Sequence, residues 1–282
     1  MDLSIITVTY NAEELIAQQI KSVFKGIDDL NFEQIIVDNN STDKTIEIIE
    51  RDFLEVKLIK NKQNFGFGYA NNQGFKISQG KFLLFLNPDM LVEENILKKI
   101  MIWLVENPQA GIVGCRLTDN QGQIKKDAMP RRFPTALNQL AIIFKLPHFF
   151  PNILNNYLYH DVDWTKTQEV DSVRGSFLLI RREICEKLGW AFDPRYFIWF
   201  EDVDLCREVK RLGYSVIYNP MISCVDFLGQ TFKKQDVFWK QKNITRSMNQ
   251  YFKKWHPWYE WMWISLAHKL VLTVVVLRNK KL

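Results

Sequence analysis

The chain is predicted to be an α/β protein, with a mostly parallel sheet flanked by helices and amphipathic helices at the C-terminal end. Two patterns predict this. Short apolar runs alternate with helix-period segments through the first half, and each run ends in a polar, small or glycine-bearing loop. Size agrees: 282 residues, 47% hydrophobic and 24% charged, suffice for one full core and a small appended region.

Strands are expected at 3–8, 34–37, 56–59, 82–86 and 112–115, each a short apolar run bounded by turn residues. Helices are expected between them at 12–24, 44–52, 68–78 and 93–106. Residues 116–169 are less regular, with Lys125, Lys126 and the stretch from Met129 to Pro134 followed by aromatics from Phe144 to Tyr159. A segment this long inside a domain reads as a binding insertion or lid. A strand at 170–180, helices at 182–188 and 201–212, and strands at 214–218 and 222–226 complete a first domain spanning 1–232. Residues 233–282 form a basic, aromatic-rich helical region.

The 37 basic and 32 acidic residues leave a net charge of +5, a mild excess gathered late in the chain, and no nucleic-acid partner is expected. Cys115, Cys185, Cys206 and Cys224 lie far apart with no metal-ligand spacing, which fits a reducing, cytoplasmic setting. The first residues lack a signal-peptide pattern and read as a buried strand.

In open α/β sheets ligands collect beyond the carboxyl ends of the strands. Those ends carry Thr9-Tyr10-Asn11, then Asp38 through Asp43, then Asn64-Phe65-Gly66-Phe67-Gly68, then Asn87-Pro88-Asp89. Any one of them could be ordinary turn chemistry, but four together point to a site. Proline holds Asn87 extended and projects Asp89 from a stiff turn, suiting a Mg2+ or Mn2+ that takes other ligands from water and phosphates. Asp38 is placed to accept from a nucleobase or ribose. Gly66 and Gly68 admit close backbone approach to a ligand. No Gly-Lys-Ser/Thr follows, and the first strand is not followed by glycines, so neither a P-loop nor a dinucleotide fingerprint is present.

Residues 200–206 place Glu201, Asp202 and Asp204 after the aromatic run Tyr196 to Phe200. A helix first turn favours acids, and it is also a rigid mount for a base. Glu201 and Asp204 share a face at i, i+3, leaving Asp202 about 100° away and facing the acceptor. Asp204 is assigned to the helix terminus or to a neighbouring basic group. The aromatic run is either core packing or a wall that excludes water and stacks on sugars.

Val-Thr-Tyr-Asn, Ile-Val-Asp-Asn-Asn-Ser-Thr-Asp, Asn-Phe-Gly-Phe-Gly-Tyr-Ala-Asn-Asn, Leu-Asn-Pro-Asp, Val-Arg-Gly-Ser-Phe and Phe-Glu-Asp-Val-Asp-Leu-Cys occur in the order of the family 2 inverting glycosyltransferases. Over about residues 3–231 the chain resembles that family, most of all its rhamnosyltransferase branch. The resemblance implies a GT-A fold, a nucleoside-diphosphate sugar donor and a divalent metal. It makes Asp38 the base-binding aspartate, Asp89 the metal-binding member of an Asp-x-Asp element with Asn87 at the other position, and Asp202 the general base supported by Glu201. Thr9, Tyr10, Asn11, Asn64, Gly66 and Asn87 fall at the donor, and Arg174, Gly175 and Trp199 at the acceptor. Relatives commonly carry a histidine in a His-x-x-Gly-x-Ser pattern after the last strand; here Asp226 stands at that position, a hard ligand compatible with Mg2+.

From Trp255 the composition shifts, with Trp255, Trp258, Trp261 and Trp263 leading into an apolar segment that ends at Leu277. Trp263, Leu266, Leu270, Val274 and Leu277 share one helical face, and Ser265, His268, Lys269 and Thr273 the other. A central lysine costs about 2.5–3.5 kcal/mol in a membrane span, which favours a helix lying on the membrane surface. Packing on the chain's own core, or on a second copy in a homodimer, is the competing expectation. The sequence-based reading is a transferase acting on a saccharide, lipid-linked if the helix is interfacial, in cell-surface polysaccharide synthesis, peripheral on the inner face of the membrane. The donor would be dTDP-rhamnose or a UDP-sugar. A sugar-nucleotide-binding protein without turnover is the alternative; a nucleotidyltransferase would need a basic, glycine-rich loop after the first strand.

Overall fold

The computed structural model describes residues 1–26, 30–227 and 236–279. Strands β1 (Leu3–Thr9), β2 (Phe32–Asp38), β3 (Lys57–Lys60) and β4 (Phe82–Leu86) are mutually parallel in the order β3-β2-β1-β4. They are joined by α1 (Ile16–Lys25), α2 (Thr45–Asp52) and α3 (Phe67–Ile77). β1 and β4 are buried throughout their central residues; β4 reads as a continuous apolar run, and β1 interleaves Ser4, Thr7 and Thr9 with its apolar residues. The order continues β8-β6-β9-β5, with β5 (Met90–Val92), β6 (Ala110–Thr118), β8 (Phe177–Arg181) and β9 (Ser215–Asp226). β7 (Gln168–Glu169) pairs with β9 off this path. β8 runs antiparallel to both β4 and β6, and β9 parallel to β6, so six of the nine strands among the described residues share one direction.

Helices α4 (Ile96–Glu106), α6 (Arg182–Leu188) and α7 (Glu201–Arg211) cover the sheet. One face packs Ile96, Leu97, Ile100 and Leu104 of α4 against β1, β4 and β8. The other packs Ala70 of α3, Ile184 of α6, and Leu205 and Val209 of α7. Beyond them α5 (Ala136–Ile143), α8 (Val237–Trp255) and α9 (Trp258–Asn279) meet around Tyr196, Met248, Tyr251, Phe252 and Ile264.

Several elements differ from expectation. The strand expected at 170–180 begins only at Phe177, because Ser172 bridges to Arg131 and the Gly175 N–H turns to the Asp202 carboxylate. The two strands expected at 214–218 and 222–226 are one, β9, which carries Pro220 through a register shift opposite Cys115/Arg116. β5 was not expected; three residues after the Asn-Pro-Asp turn suffice, since β9 supplies the pairing. Within the irregular insertion a capping box at Thr135 and Asn138 starts α5.

His268, expected on a solvated polar stripe of α9, is 1% exposed, while Trp258, Trp263, Leu266 and Leu270 on the same helix are exposed. The side chains of Val274, Leu277 and Arg278, and residues 228–235 with Gly229, Gln230, Thr231, Lys233 and Lys234, lie outside the described residues, as do 280–282. No helix among the described residues is long and apolar enough to cross a membrane.

Candidate active site

The carboxyl ends of β1, β2 and β4 open onto a cavity lined by Thr9, Tyr10, Asn39, Asn64, Gly66, Asn87 and Asp89. The strand order reverses between β1 and β4, the switch point where ligands settle in such sheets. Thr9 and Asp38 are register partners, and the Thr9 hydroxyl donates to Asp38 Oδ2 at 2.9 Å. Ser41 adds its hydroxyl at 2.5 Å and its N–H to Oδ1 at 2.8 Å, so Asp38, 0% exposed, braces the loops from behind the wall. Asn11 also braces: its Oδ1 accepts the Thr42 N–H at 2.8 Å. The wall itself carries Asn39, whose amide donates to Gly66 O at 3.1 Å.

Gly66 has φ +89, and a Cβ there would lie 2.4 Å from the Phe197 carbonyl oxygen. The close approach it permits is therefore that of the protein's own chain. Phe67 N–H donates to the same Phe197 oxygen at 2.7 Å, fastening the β3–α3 loop to the segment that leads into α7.

A second cavity of about 220 Å³ adjoins the first, and Asn87, Asp89, Arg174, Gly175, Trp199, Glu201, Asp202 and Asp226 all line it. Asp202 is fixed through both oxygens, accepting the Gly175 N–H at 2.9 Å and the Val203 N–H at 2.8 Å. A Cβ on Gly175 would stand 3.2 Å from Asp202 Cβ, so glycine keeps this approach open. Glu201 is buried; burial first, and then the charge of Asp202, push its carboxyl well above the ordinary range. Burial beside Asp202 therefore favours the protonated form of the Glu201 carboxyl.

Trp199 and Phe200, just before α7, both have left-handed backbone, φ 64 and 67. Such strain persists only where surroundings impose it. α8 does so: Trp239 packs on Trp199 at 5.8 Å, Tyr251 on Phe200 at 5.5 Å, and the Ser247 hydroxyl donates to Ile198 O at 2.6 Å. Asp204 turns away from the cavity. Lys254 Nζ meets it at 2.7 Å and the Trp255 Nε1–H at 2.6 Å, and the same ammonium reaches Glu208 at 2.8 Å and Asp193 at 3.1 Å. Three carboxylates hold the Lys254 ammonium above its usual range against the opposing effect of burial.

Among the described residues no group of three or more His, Cys, Asp or Glu side chains could hold a metal ion by itself. Asp89, 7% exposed and lining both cavities, nonetheless fits a Mg2+ or Mn2+ that completes its shell with phosphate and water. Asp226 is differently placed: Lys125 Nζ lies 3.4 Å from its Oδ1, both side chains buried, and donates to its carbonyl oxygen. That ammonium already meets the charge a second metal ligand would offer.

Asn39, Phe197, Trp239, Lys125 and Arg131 were not singled out from sequence. Asn39 lay beside Asp38 in a loop already marked, and Arg131 within a marked basic stretch. Lys125 lay within a marked basic pair as well, whereas Trp239 had no local signal, since its neighbours are distant in the chain.

A mixed sheet whose strand ends converge on an acidic cleft is the GT-A architecture. The chain resembles the mannosyltransferase PcManGT from Pyrobaculum calidifontis, solved with GDP-Man and Mn2+, with TM-score 0.61, 19% identity and coverage of 97% of this chain and 74% of that one. Residues 4–189 match the model described as Glycosyl transferase family 2, and the chain belongs to that family; it is a glycosyltransferase. It is 24% identical over 254 residues to the rhamnosyltransferase WbbL of Escherichia coli, covering 86% of this chain and 90% of that protein. It is 26% identical over 200 residues to the N-acetylglucosaminyl-diphospho-decaprenol L-rhamnosyltransferase of Mycobacterium tuberculosis, covering 66% and 63%. Of two other relatives it spans only 27% and 16% of their length.

Proposed function

We propose that the chain transfers a sugar, rhamnose before others, with inversion, from a nucleoside diphosphate to a hydroxyl of a lipid-linked saccharide. The observation that carries this reading is the meeting of Asp202 and Asp89 in one cavity that opens onto the strand-end pocket. Asp202, oriented by the Gly175 and Val203 N–H groups, takes the acceptor proton as that oxygen bonds to the anomeric carbon. The bond from that carbon to the diphosphate breaks on the opposite face, and its electrons leave with the diphosphate. Mg2+ or Mn2+, held by Asp89, would neutralise that charge. Phe197, Ile198 and Trp199, which line the two cavities, would keep water from competing with the acceptor, whereas Tyr196 packs in the core.

The names of the rhamnosyltransferase relatives support the donor and the polysaccharide setting. A second reading, binding of a sugar nucleotide with little turnover, draws on the Lys125–Asp226 pair. Thermal shift with dTDP-rhamnose and UDP-sugars, each with Mg2+ or Mn2+, followed by NMR of the product anomer, separates the two. The transferase reading expects a metal-dependent shift and an inverted product; a shift without transfer to any saccharide leaves the binding reading standing.

The exposed Trp258, Trp263, Leu266 and Leu270 of α9, with Lys253 and Lys269 exposed nearby, support attachment to an anionic membrane on its cytoplasmic side. Cosedimentation with anionic vesicles is expected for the wild type and not for a variant carrying Trp263→Ser, Leu266→Ser and Leu270→Ser. If that variant binds vesicles equally and only alters sedimentation of the protein alone, the face joins two copies instead.

A further inference from the structure

We propose that Arg131 and Arg174 form a subsite for a phosphate ester on the acceptor, beside the hydroxyl that receives the sugar; this rests on the transferase reading above. The two arginines, 43 positions apart in sequence, are brought together by backbone. Arg131 N–H donates to Ser172 O at 3.3 Å, Ser172 N–H to Arg131 O at 3.1 Å, and the Ser172 hydroxyl to that same oxygen at 2.9 Å. Arg174 follows two residues after Ser172.

Both guanidiniums then converge on one acceptor. Arg131 Nη2 donates to the Asp127 carbonyl oxygen at 3.2 Å, and Arg174 Nη2 donates to that oxygen too. Among the described residues no carboxylate lies within 4.0 Å of either. Their neighbour Arg132 shows the contrast: it has Asp161 at 3.4 Å, Asn156 O at 3.0 Å and the Tyr159 ring at 4.1 Å. Desolvation, and next the like charge of Arg131, lower the Arg174 guanidinium from its ordinary value, while the charges of Asp202 and Asp226 act in the opposite sense and the side chain stays exposed to solvent. An anion between them relieves that repulsion, and two planar forks match the oxygens of a phosphate.

Cavity geometry puts this anion on the acceptor side. Arg174 lines the central cavity with Asp89 and Asp202, whereas Arg131 lines only the two cavities beyond it, which Asp89 does not reach. The outermost, about 670 Å³, is walled by Tyr157, Tyr159, Trp164 and Leu158. A saccharide at Asp202 would thus carry its phosphate between the arginines and whatever bears that phosphate into the aromatic chamber. Lipid diphosphate and polymer phosphodiester share this chemistry.

The test uses the full chain, the donor and metal found by thermal shift, and one accepting sugar in three forms: a methyl glycoside, a short prenyl diphosphate ester, and a phosphodiester of a polyol. Wild type is expected to favour a charged form over the glycoside in kcat/KM by at least about tenfold, the worth of one charge-assisted hydrogen bond. Arg131→Ala should bring this ratio toward one through KM, with Arg131→Lys between. Because all three acceptors are measured on the same preparation, partial misfolding leaves the ratios intact. A higher rate with the prenyl form assigns the chamber to a lipid, and with the polyol form to a polymer; either supports the subsite. A wild-type ratio near one, or an Arg131→Ala variant that slows both forms equally, overturns it while leaving the transferase reading in place. Donor binding with no transfer to any form removes both.

Discussion

Strands β1, β2 and β4 place their site residues chiefly by backbone pairing, with short side-chain bonds between adjacent loops: Thr9 sits opposite Asp38 in register, and Asn87 N–H bonds to Ser176 O where β4 ends. The acidic head of α7 is built differently. It starts from two left-handed residues and is strapped by α8 through Ser247, Tyr251, Lys254 and Trp255. One region is positioned by a ladder of many equivalent bonds, the other by a few long-range contacts around strained backbone. The donor side should therefore survive damage that disables the acceptor side.

The sharpest cut falls at Asp202. Asp202→Asn keeps the size and one acceptor oxygen but removes the base, and transfer should fall by about 10²–10⁴-fold. Nucleotide-induced thermal shift should persist; its loss together with activity would mean that the two sides are not separable. Lys254→Met comes next. Removing the ammonium leaves the buried Asp193, Asp204 and Glu208 carboxylates facing one another, a loss of about 3–5 kcal/mol measurable by urea unfolding. Transfer should fall with it because Phe200 and Trp199 lose their brace, whereas nucleotide binding at low temperature should remain. Equal loss of both functions would make the straps part of a single cooperative unit.

What could be read from sequence divides along the same line. Each strand-end loop announces itself within about eight residues, an apolar run followed by Asn, Asp or Gly, so Thr9, Tyr10, Asn64, Asn87 and Asp89 were legible locally. Glu201 and Asp202 were legible too, since acids against an aromatic run stand out. The partner of Asp204 was foreseen as a basic group but not as Lys254, because fifty residues and a helix boundary separate them. Asp38 was read as facing a nucleotide, yet its carboxylate is engaged by Thr9 and Ser41, contacts that no spacing rule predicts. Gly66 was read as a close backbone approach to a ligand, but the approaching group in the structure is Phe197 O, a tertiary contact. The Arg131–Ser172 bridge lies in the insertion, where no periodicity guided the reading.

Gly66 tests the one place where the two regions touch. In Gly66→Ala the methyl would meet the Phe197 oxygen at 2.4 Å on a backbone with φ +89, so left-handed strain and overpacking together should cost about 3 kcal/mol. Weaker nucleotide binding and slower transfer in the same variant are expected, since the Phe67–Phe197 bond joins the donor loop to α7. A variant with normal nucleotide affinity would separate the loop from α7.

The smallest effect concerns the outer layer, and it appears only in acid. His268 is buried where α9 packs, its Nδ1 finds no hydrogen-bond partner among the described residues, and burial pushes the imidazole down to about 4. Unfolded, the same ring titrates near 6.5. Between those values the unfolded chain binds the extra proton, so stability is full above about pH 6.5, declines as pH falls, and levels off below about 4. At pH 5 the loss should be about 2 kcal/mol. His268→Leu should remove that share of the acid limb in urea unfolding while leaving transfer at pH 7.5 unchanged, because α9 packs on α8 and α5 and lines none of the three cavities at Asp89 and Asp202. Identical acid limbs in the two proteins would assign the loss to other groups. Slower transfer at pH 7.5 would show that strain at Trp199 and Phe200 is imposed through α9 as well as α8.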